Sequence, residues 1–173
     1  MFRNPIAPVL SLGMSLAFAA SGHAQVTDSE LFRITVPSTL SITAPTSEIS
    51  QIHDETDNDQ SFPAQRWLVT ANNTAGAIAV FQTDQAFTHT ADSSYKRDAL
   101  VTLAKVAGDA WSVTTPSAST SYASSSEIAS VAAESSAPGA ASFDLGVSLV
   151  EETFTDLAAG DYELTVTGTI TAK

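Results

Sequence analysis

Hydrophobic and polar residues alternate with a period of two along most of the chain after residue 30. In the segment 32–36, Phe32, Ile34 and Val36 stand two residues apart, and Leu40 and Ile42 continue the alternation. Residues two apart point to one face of a strand, whereas an amphipathic helix repeats every three to four residues. The same alternation, or a short apolar run, recurs in the segments 67–71, Ala77–Thr83, 99–106, 111–113, 143–149 and 162–170.

This pattern predicts about eight short strands with no sustained helix. The one-sided alternation is typical of antiparallel sheets that cover one face of a core. We expect Ala77–Thr83 and 99–106 to be more fully buried, because their apolar runs are less interrupted. Two stretches lack the pattern. Residues 46–63 form a predicted polar loop, and the Ser- and Ala-rich residues 116–141 a flexible connection or edge region around a weak strand at 127–133.

One local motif decides between the ways of stacking these strands. Leu157, Gly160, Tyr162, Leu164 and Val166 follow the spacing L-x-x-G-x-Y-x-L-x-V. This spacing resembles the tyrosine corner of immunoglobulin-like and fibronectin type III domains, in which the ring packs in the core and the hydroxyl bonds backbone. The resemblance implies an all-β, antiparallel immunoglobulin-like β-sandwich. The other interpretation is an ordinary loop followed by a strand with a buried tyrosine.

The first 24 residues differ from the rest of the chain. Arg3 precedes an apolar stretch at 6–20, and small residues lead up to Ala24. This order is typical of a secretory signal peptide cleaved between Ala24 and Gln25. The apolar stretch is shorter than the roughly 20 residues of a membrane-spanning helix. We therefore expect a signal peptide at 1–24, a single domain at 25–173 without a transmembrane segment, and a secreted, periplasmic or cell-surface location.

Charge and cysteine content exclude several classes of function. Without Arg3 the chain has six basic and nineteen acidic residues, a formal charge of −13. Nucleic-acid binding requires a basic surface, so nucleic acid is excluded as a partner. The chain has no cysteine. Disulfides and cysteine-ligated zinc are therefore excluded, and the fold must rely on burial and strand pairing.

The candidate catalytic groups are few. His53 and His89 are the only histidines after the signal peptide, and neither lies in a nucleophile motif, so we expect both to be solvated. Glu151 and Glu152 are adjacent, and adjacent residues of a regular strand point to opposite faces. We expect the protein not to be an enzyme.

An acidic loop is the candidate metal site. Asp54, Glu55, Asp57 and Asp59 place four carboxylates within six residues. Calcium takes six to eight oxygen ligands, which such a loop supplies in part, although the spacing differs from that of an EF-hand. The sequence leaves two interpretations open, a calcium site and a solvated loop whose charges limit aggregation.

Aromatic residues raise the question of carbohydrate binding, since exposed rings stack on sugars. Trp67 shares its face with Val69, and Trp111 shares its face with Val113. Both patterns predict core tryptophans, which are usual in a sandwich. The sequon at Asn72 is expected to be a turn.

The C-terminal residues 160–170, GDYELTVTGTI, resemble the final strand of secreted pilin-like subunits, including the spore coat protein U group. The resemblance implies an incomplete immunoglobulin-like sandwich that a chaperone and usher assemble at the cell surface by strand donation. Such subunits commonly carry a cysteine pair, which this chain lacks. Residues 67–70 are also similar to bacterial WxL-type surface domains.

Two functional classes follow. The first is an exported structural or interaction protein that assembles with other protein chains, including copies of itself, through strand edges. The alternative is a secreted module that binds carbohydrate or calcium. If the protein assembles by strand donation, the alternating residues of 25–36 form the donated strand. If it does not, they form the first strand of their own domain.

The signal peptide generates the first testable prediction. Because the small residues before Ala24 suit a signal peptidase, the exported protein should begin at Gln25 or within a few residues of it. Intact-mass measurement of the extracytoplasmic fraction checks this, with whole-cell precursor as the control. Exported protein that still begins at Met1 would contradict the prediction.

Overall fold

The computed structural model describes residues 26–46, 48–150 and 153–173, so the predicted signal peptide lies outside the described residues. The chain divides into two units, Met1–Thr35 and Val36–Lys173. Residues 26–35, the described part of the first unit, contain no helix or strand. The strand predicted at 32–36 is therefore absent, because a strand needs a partner for its backbone groups and these residues pair with none.

The described residues of the second unit form strands and two short 3₁₀ turns. The turns are Tyr122–Ser124 and Phe154–Asp156. The strands are β1 (Leu40–Thr43), β2 (Gln60–Ser61), β3 (Gln65–Ala71), β4 (Ala77–Thr83), β5 (Phe87–His89), β6 (Lys96–Ala107), β7 (Trp111–Thr115), β8 (Ser117–Ser119), β9 (Ser130–Ser135), β10 (Gly139–Val150), β11 (Tyr162–Glu163) and β12 (Val166–Ala172).

The strands form two antiparallel sheets. The first has the order β1-β3-β10-β6-β5-β11, with β2 added to β10 and β8 added to β6. Its centre is the long pair β6 and β10, which has one irregularity between Ser142 and Phe143. The second sheet has the order β12-β4-β9-β7. No helix among the described residues has the length and hydrophobicity needed to cross a membrane.

The larger of two apolar clusters is built from both sheets, which confirms the predicted all-β sandwich. Phe81 of the second sheet contacts Trp67 and Phe143 of the first, with ring centroids 5.3 and 6.3 Å apart. Trp111 packs edge-on against Phe143 and is only 1% exposed. Edge-to-face packing is the geometry that aromatic quadrupoles favour. Trp111 is thus a core residue as predicted, whereas Trp67 is half-buried.

The interpretation of 116–141 as a flexible connection or edge was wrong, although the weak strand expected at 127–133 is present as β9 (Ser130–Ser135). This stretch contains β8, β9 and the start of β10, and β9 lies inside the second sheet between β4 and β7. Val131, Ala133 and Ser135 are fully buried, and the Ser135 hydroxyl accepts a hydrogen bond from the Ala77 amide at 2.7 Å. These small side chains bury little apolar area. The backbone hydrogen bonds of β9 to β4 and β7, and the hydrogen bond of the Ser135 hydroxyl, compensate for this.

The strands β4 and β6 are buried on one face only, which corrects the expectation of fuller burial. In β4 the side chains of Ala77, Ala79 and Phe81 are buried, while Ile78 between them is 39% exposed. In β6 the C-terminal part emerges into solvent, and Val106 is 45% exposed. A two-layer sandwich covers only the inner face of each sheet, so an apolar run need not be buried on both sides.

Candidate functional site

The C-terminal segment 162–172 contains β11, which pairs with β5 in the first sheet, and β12, which pairs with β4 in the second. Residues 164 and 165 between the two strands belong to neither. The Lys173 amide donates to the Gly76 carbonyl, and the Asp84 amide donates to the Thr165 carbonyl. In an antiparallel ladder, residues alternate between those that bond their partner strand and those that point away from it. Thr167, Thr169 and Thr171 therefore bond β4, and the even-numbered residues direct their amides and carbonyls to the other side.

In the described part of the chain, that other side of β12 forms no ladder. Among the residues that the structure describes, β12 pairs with β4 alone, and β1 lies beside β12 without forming a ladder with it. β12 is also regular, since its seven-residue register with β4 has no shift. An unpaired regular strand presents a row of backbone donors and acceptors to an incoming chain.

A groove of about 710 Å³ runs beside the first part of this edge. One wall is formed by residues 160–166 and the other by the loop that contains Pro45, Ile49 and His53. The rest of the lining is mixed, with polar residues such as Gln51 and Gln65 beside an apolar part from the first sheet and the chain next to it. The apolar part includes Phe62, Trp67, Phe87, Leu145, Val147 and Leu149.

Alternation places the apolar side chains of the edge in this groove. Leu164 and Val166 line it and are half-buried, whereas Glu163 and Thr165, which also line it, are exposed. The edge thus offers apolar side chains on its inner face and backbone groups along its side. This combination suits an extended peptide with alternating apolar residues.

Tyr162 anchors the wall of the groove. Its hydroxyl accepts a hydrogen bond from the Ala158 amide at 3.1 Å. The ring is half-buried and packs with Phe87, Leu149 and Leu164. The backbone bond expected from the tyrosine-corner spacing is present, and it ties the turn before β11 to the strand.

His89 supports the same wall from β5. Its Nε2 lies 3.1 Å from the Ala159 carbonyl, and its Nδ1 lies 3.1 Å from both the Ala91 and the Asp92 amides. A carbonyl only accepts and an amide only donates, so the ring is the neutral tautomer with its proton on Nε2. The ring also packs edge-on against Tyr162, with centroids 5.1 Å apart.

The expectation that both histidines are solvated was wrong. His89 is only 8% exposed, and a Cβ on Gly160 would overlap its ring, so glycine is required there. His53 is half-buried, stacks on Phe154 at 5.2 Å, and accepts a bond from the Glu55 amide at 3.0 Å. Contacts with residues distant in sequence, Phe154 for His53 and Tyr162 for His89, help to cover these rings.

The acidic loop does not gather its four carboxylates around one point. Asp54 Oδ1 accepts bonds from the Thr56 hydroxyl at 2.6 Å and Gln60 Nε2 at 2.8 Å. The side chain of Thr56, and then that of Gln60, lowers the pKa of Asp54 below its ordinary value. Asp57 instead accepts a bond from the Phe154 amide at 2.8 Å.

No metal-binding cluster results within the described part of the chain. There, no three His, Asp or Glu side chains come close enough to hold a metal ion. The carboxylates of Asp54 and Asp57 stabilise turns, while Glu55 adopts a left-handed φ of 61° and is exposed, as is Asp59. Glu151 and Glu152, the other carboxylate candidates, lie outside the described residues.

Asn72, which begins the sequon, has a structural role that the sequence did not indicate. Its side-chain oxygen accepts from the Thr39 amide at 2.6 Å, and its nitrogen donates to the Pro37 carbonyl at 2.8 Å. Both ends of the amide therefore hold the chain that leads into β1. The signal that could have found it is an Asn at a strand end, where side-chain-to-backbone bonds are common.

Comparison of the chain with protein-family models, curated proteins and solved structures finds no match. The similarity to pilin-like subunits therefore remains an expectation from the C-terminal motif.

Tyr162→Phe should lower the free energy of unfolding by about 1 kcal/mol, because the Ala158 amide loses its partner. Urea unfolding of the mature protein measures this. Tyr122→Phe is the matched control, since its hydroxyl has no hydrogen-bond partner among the described residues. Equal effects of the two substitutions would contradict an anchoring role for Tyr162.

The calcium hypothesis for Asp54, Glu55, Asp57 and Asp59 stays a prediction. If these carboxylates rearrange to bind calcium, about 10 mM calcium should raise the melting temperature by mass action. Asp57→Ala should abolish the rise, and an equal concentration of magnesium is the control. An unchanged melting temperature would leave the loop as solvated charge with local hydrogen bonds.

Proposed function

We propose that the mature protein is an exported structural or interaction protein that associates with other chains by strand addition at the edge 162–172. The observation that carries the proposal is an unpaired regular strand beside an apolar groove. An added strand gains hydrogen bonds from the outward amides of β12 and buries apolar side chains in the groove. The backbone hydrogen bonds can form with almost any sequence in the added strand. The groove then favours strands whose side chains are apolar at alternate positions.

The other edge of the second sheet supports this choice, because it carries features that oppose strand addition. β7, the far edge of the second sheet, has a register shift between Val113 and Thr115. Lys105 Nζ also donates to the Trp111 carbonyl on that strand at 2.9 Å. Bulges and lysines are common protections of sheet edges. β12 has no register shift, and its charged neighbour Lys173 pairs with Glu134 at 2.7 Å.

The proposal includes an extracytoplasmic location, which is supported by the signal-like residues 1–24. A formal charge of −13 for the mature chain keeps copies apart unless specific contacts compensate for repulsion. At physiological salt the Debye length is about 8 Å, so repulsion between charges farther apart than this is weak. Association of two copies then depends mainly on the contacts at the edge itself.

A ligand-binding module is the second candidate function. The groove volume of about 710 Å³ is typical of small-molecule sites, and Trp67 and Tyr162 line it. Trp111 is too buried to stack on a sugar. In this case a soluble saccharide should raise the melting temperature of a protein that stays monomeric, whereas strand addition should give assemblies without any ligand.

Strand addition predicts how substitutions of Val166, the first residue of β12, affect association. Val166→Pro removes one outward amide while leaving the bonds of the odd-numbered residues to β4, so association should weaken at least about tenfold. Val166→Ala is the matched control, because it loses the same side-chain packing but keeps the amide. Sedimentation velocity of the mature protein at physiological salt measures both.

Two results would contradict the proposal. The first is a wild-type mature protein that stays monomeric up to millimolar concentration. The second is a Val166→Pro variant that associates as well as Val166→Ala. Thermal unfolding of each variant shows that the fold has survived the substitution.

A further inference from the structure

We infer that the strand added to β12 is β12 of a second copy, in an antiparallel pair whose two-fold axis passes through Thr169. This inference rests on the proposed function and specifies its partner and register. The pair joins the second sheets of the two copies into one continuous sheet. Its basis is that β12 is complementary to itself in this direction and register.

The backbone groups that point away from β4 restrict the register. The odd-numbered residues of β12 bond β4, and the residues that direct their amides and carbonyls outward are therefore Val166, Gly168, Ile170 and Ala172. In a symmetric antiparallel pair these even-numbered residues must bond one another, so the axis passes through a residue position. Only an axis at Thr169, the middle residue of β12, pairs the whole strand.

On the outer face of the sheet, this register places threonine opposite threonine. Thr169 lies opposite Thr169 of the second copy, and Thr167 of each copy lies opposite Thr171 of the other. All three side chains are exposed. These positions are the pairs without backbone hydrogen bonds, in which side chains lie closest together. Paired threonine hydroxyls stabilise antiparallel strands.

On the inner face, a large residue lies opposite a small one. Ile170 faces Gly168 of the second copy, and Val166 faces Ala172. Gly168 has no room for a side chain of its own, because a Cβ there would lie 2.7 Å from a Trp67 ring carbon. An isoleucine opposite this glycine therefore meets a backbone without a competing side chain.

The apolar core is incompletely covered at this edge. Trp67 and Ile42 lie against Gly168 on the inner face of β12, and both are half-buried, as are Val166 and Ile170. Side chains extend perpendicular to the direction of the strand hydrogen bonds, so these contacts leave the outward amides of β12 accessible. A second copy at β12 gains backbone hydrogen bonds and also covers apolar residues at the rim of the core.

The distribution of charge favours contact at this strand. β12 carries no charged side chain, although the chain has a formal net charge of −12. Lys173, which follows β12, pairs with Glu134 of the same copy at 2.7 Å. Two copies of β12 can therefore meet without like charges opposite each other, which would destabilise the pair.

Cysteine crosslinking tests the register, because the chain has no cysteine of its own. Thr169→Cys places two thiols opposite each other at the axis, where the Cα atoms of such a pair lie about 4.5 Å apart, within the range of a disulfide. In Thr167→Cys the two thiols lie about 14 Å apart along the strands, which is too far. The same distance separates the thiols of Thr171→Cys.

The mature Thr169→Cys protein should therefore form a disulfide-linked dimer under mild oxidation, whereas Thr167→Cys and Thr171→Cys alone should stay largely uncrosslinked. A 1:1 mixture of the latter two should crosslink, because residue 167 of one copy lies opposite residue 171 of the other. Non-reducing electrophoresis and intact mass detect the dimers. Thr102→Cys, at an exposed position of β6, is the control for random collision.

A charge at the axis provides a second test without crosslinking. Thr169→Lys places two lysines opposite each other, so self-association of the mature protein should weaken by about fivefold. The matched control is Thr102→Lys, which adds the same charge to an exposed strand position elsewhere. Because added positive charge reduces the general repulsion between acidic copies, the control should associate at least as well as the wild type. Sedimentation velocity measures all three proteins.

The failures of this inference and of the proposed function are distinguishable. If Val166→Pro weakens association but Thr169→Cys crosslinks no faster than Thr102→Cys, strand addition stands and the two-fold register is wrong. Assemblies larger than a dimer also contradict the inference, since a two-fold pair uses the β12 edge of both copies. A wild-type protein that stays monomeric overturns both. Thermal unfolding under reducing conditions shows that each variant is folded.

Discussion

The burial of one aromatic core between two antiparallel sheets is the constraint on which the rest of this structure depends. Phe81 and Phe143 contact each other from opposite sheets, and Trp111 closes the cluster. Because the chain has no cysteine, no disulfide can take over this role. Removal of apolar surface from water and pairing of backbone groups must hold the sheets together. Every strand that contributes to the core therefore has one apolar face.

The same constraint explains why the open edge lies where it does. The chain runs from β11 in the first sheet to β12 in the second, so residues 162–172 border both layers. A two-layer sandwich has ends, and at this end the walls separate into an apolar groove. Tyr162 and His89 hold one wall through bonds to backbone. The wall is thus pre-formed, which lowers the conformational cost of receiving another strand.

Acidity and an open apolar edge act in opposite directions on association. The net charge of −12 opposes contact between copies, whereas backbone hydrogen bonds and apolar burial would favour it locally in the proposed strand addition. Charge repulsion acts over the whole surface, whereas the proposed attraction acts at one edge. Contacts elsewhere on the surface are therefore disfavoured more than contacts at that edge. The bulged β7 edge follows the same logic, because it leaves one of the two ends of the second sheet less suited to pairing.

The sequence by itself determined the all-β class and the inward faces of β3, β10 and β12, and it offered the tyrosine bond to backbone as one of two interpretations. These features depend on spacing between near neighbours, which alternation and the Gly160–Tyr162 motif record directly. Only the tertiary structure decided the central position of β9, the burial of His89, and the absence of a strand at 32–36. Each of these depends on partners distant in sequence: two flanking strands for β9, Gly160 and Tyr162 for His89, and a pairing strand for 32–36. A local pattern shows what a segment can bury, but the partner that covers it is set by the fold.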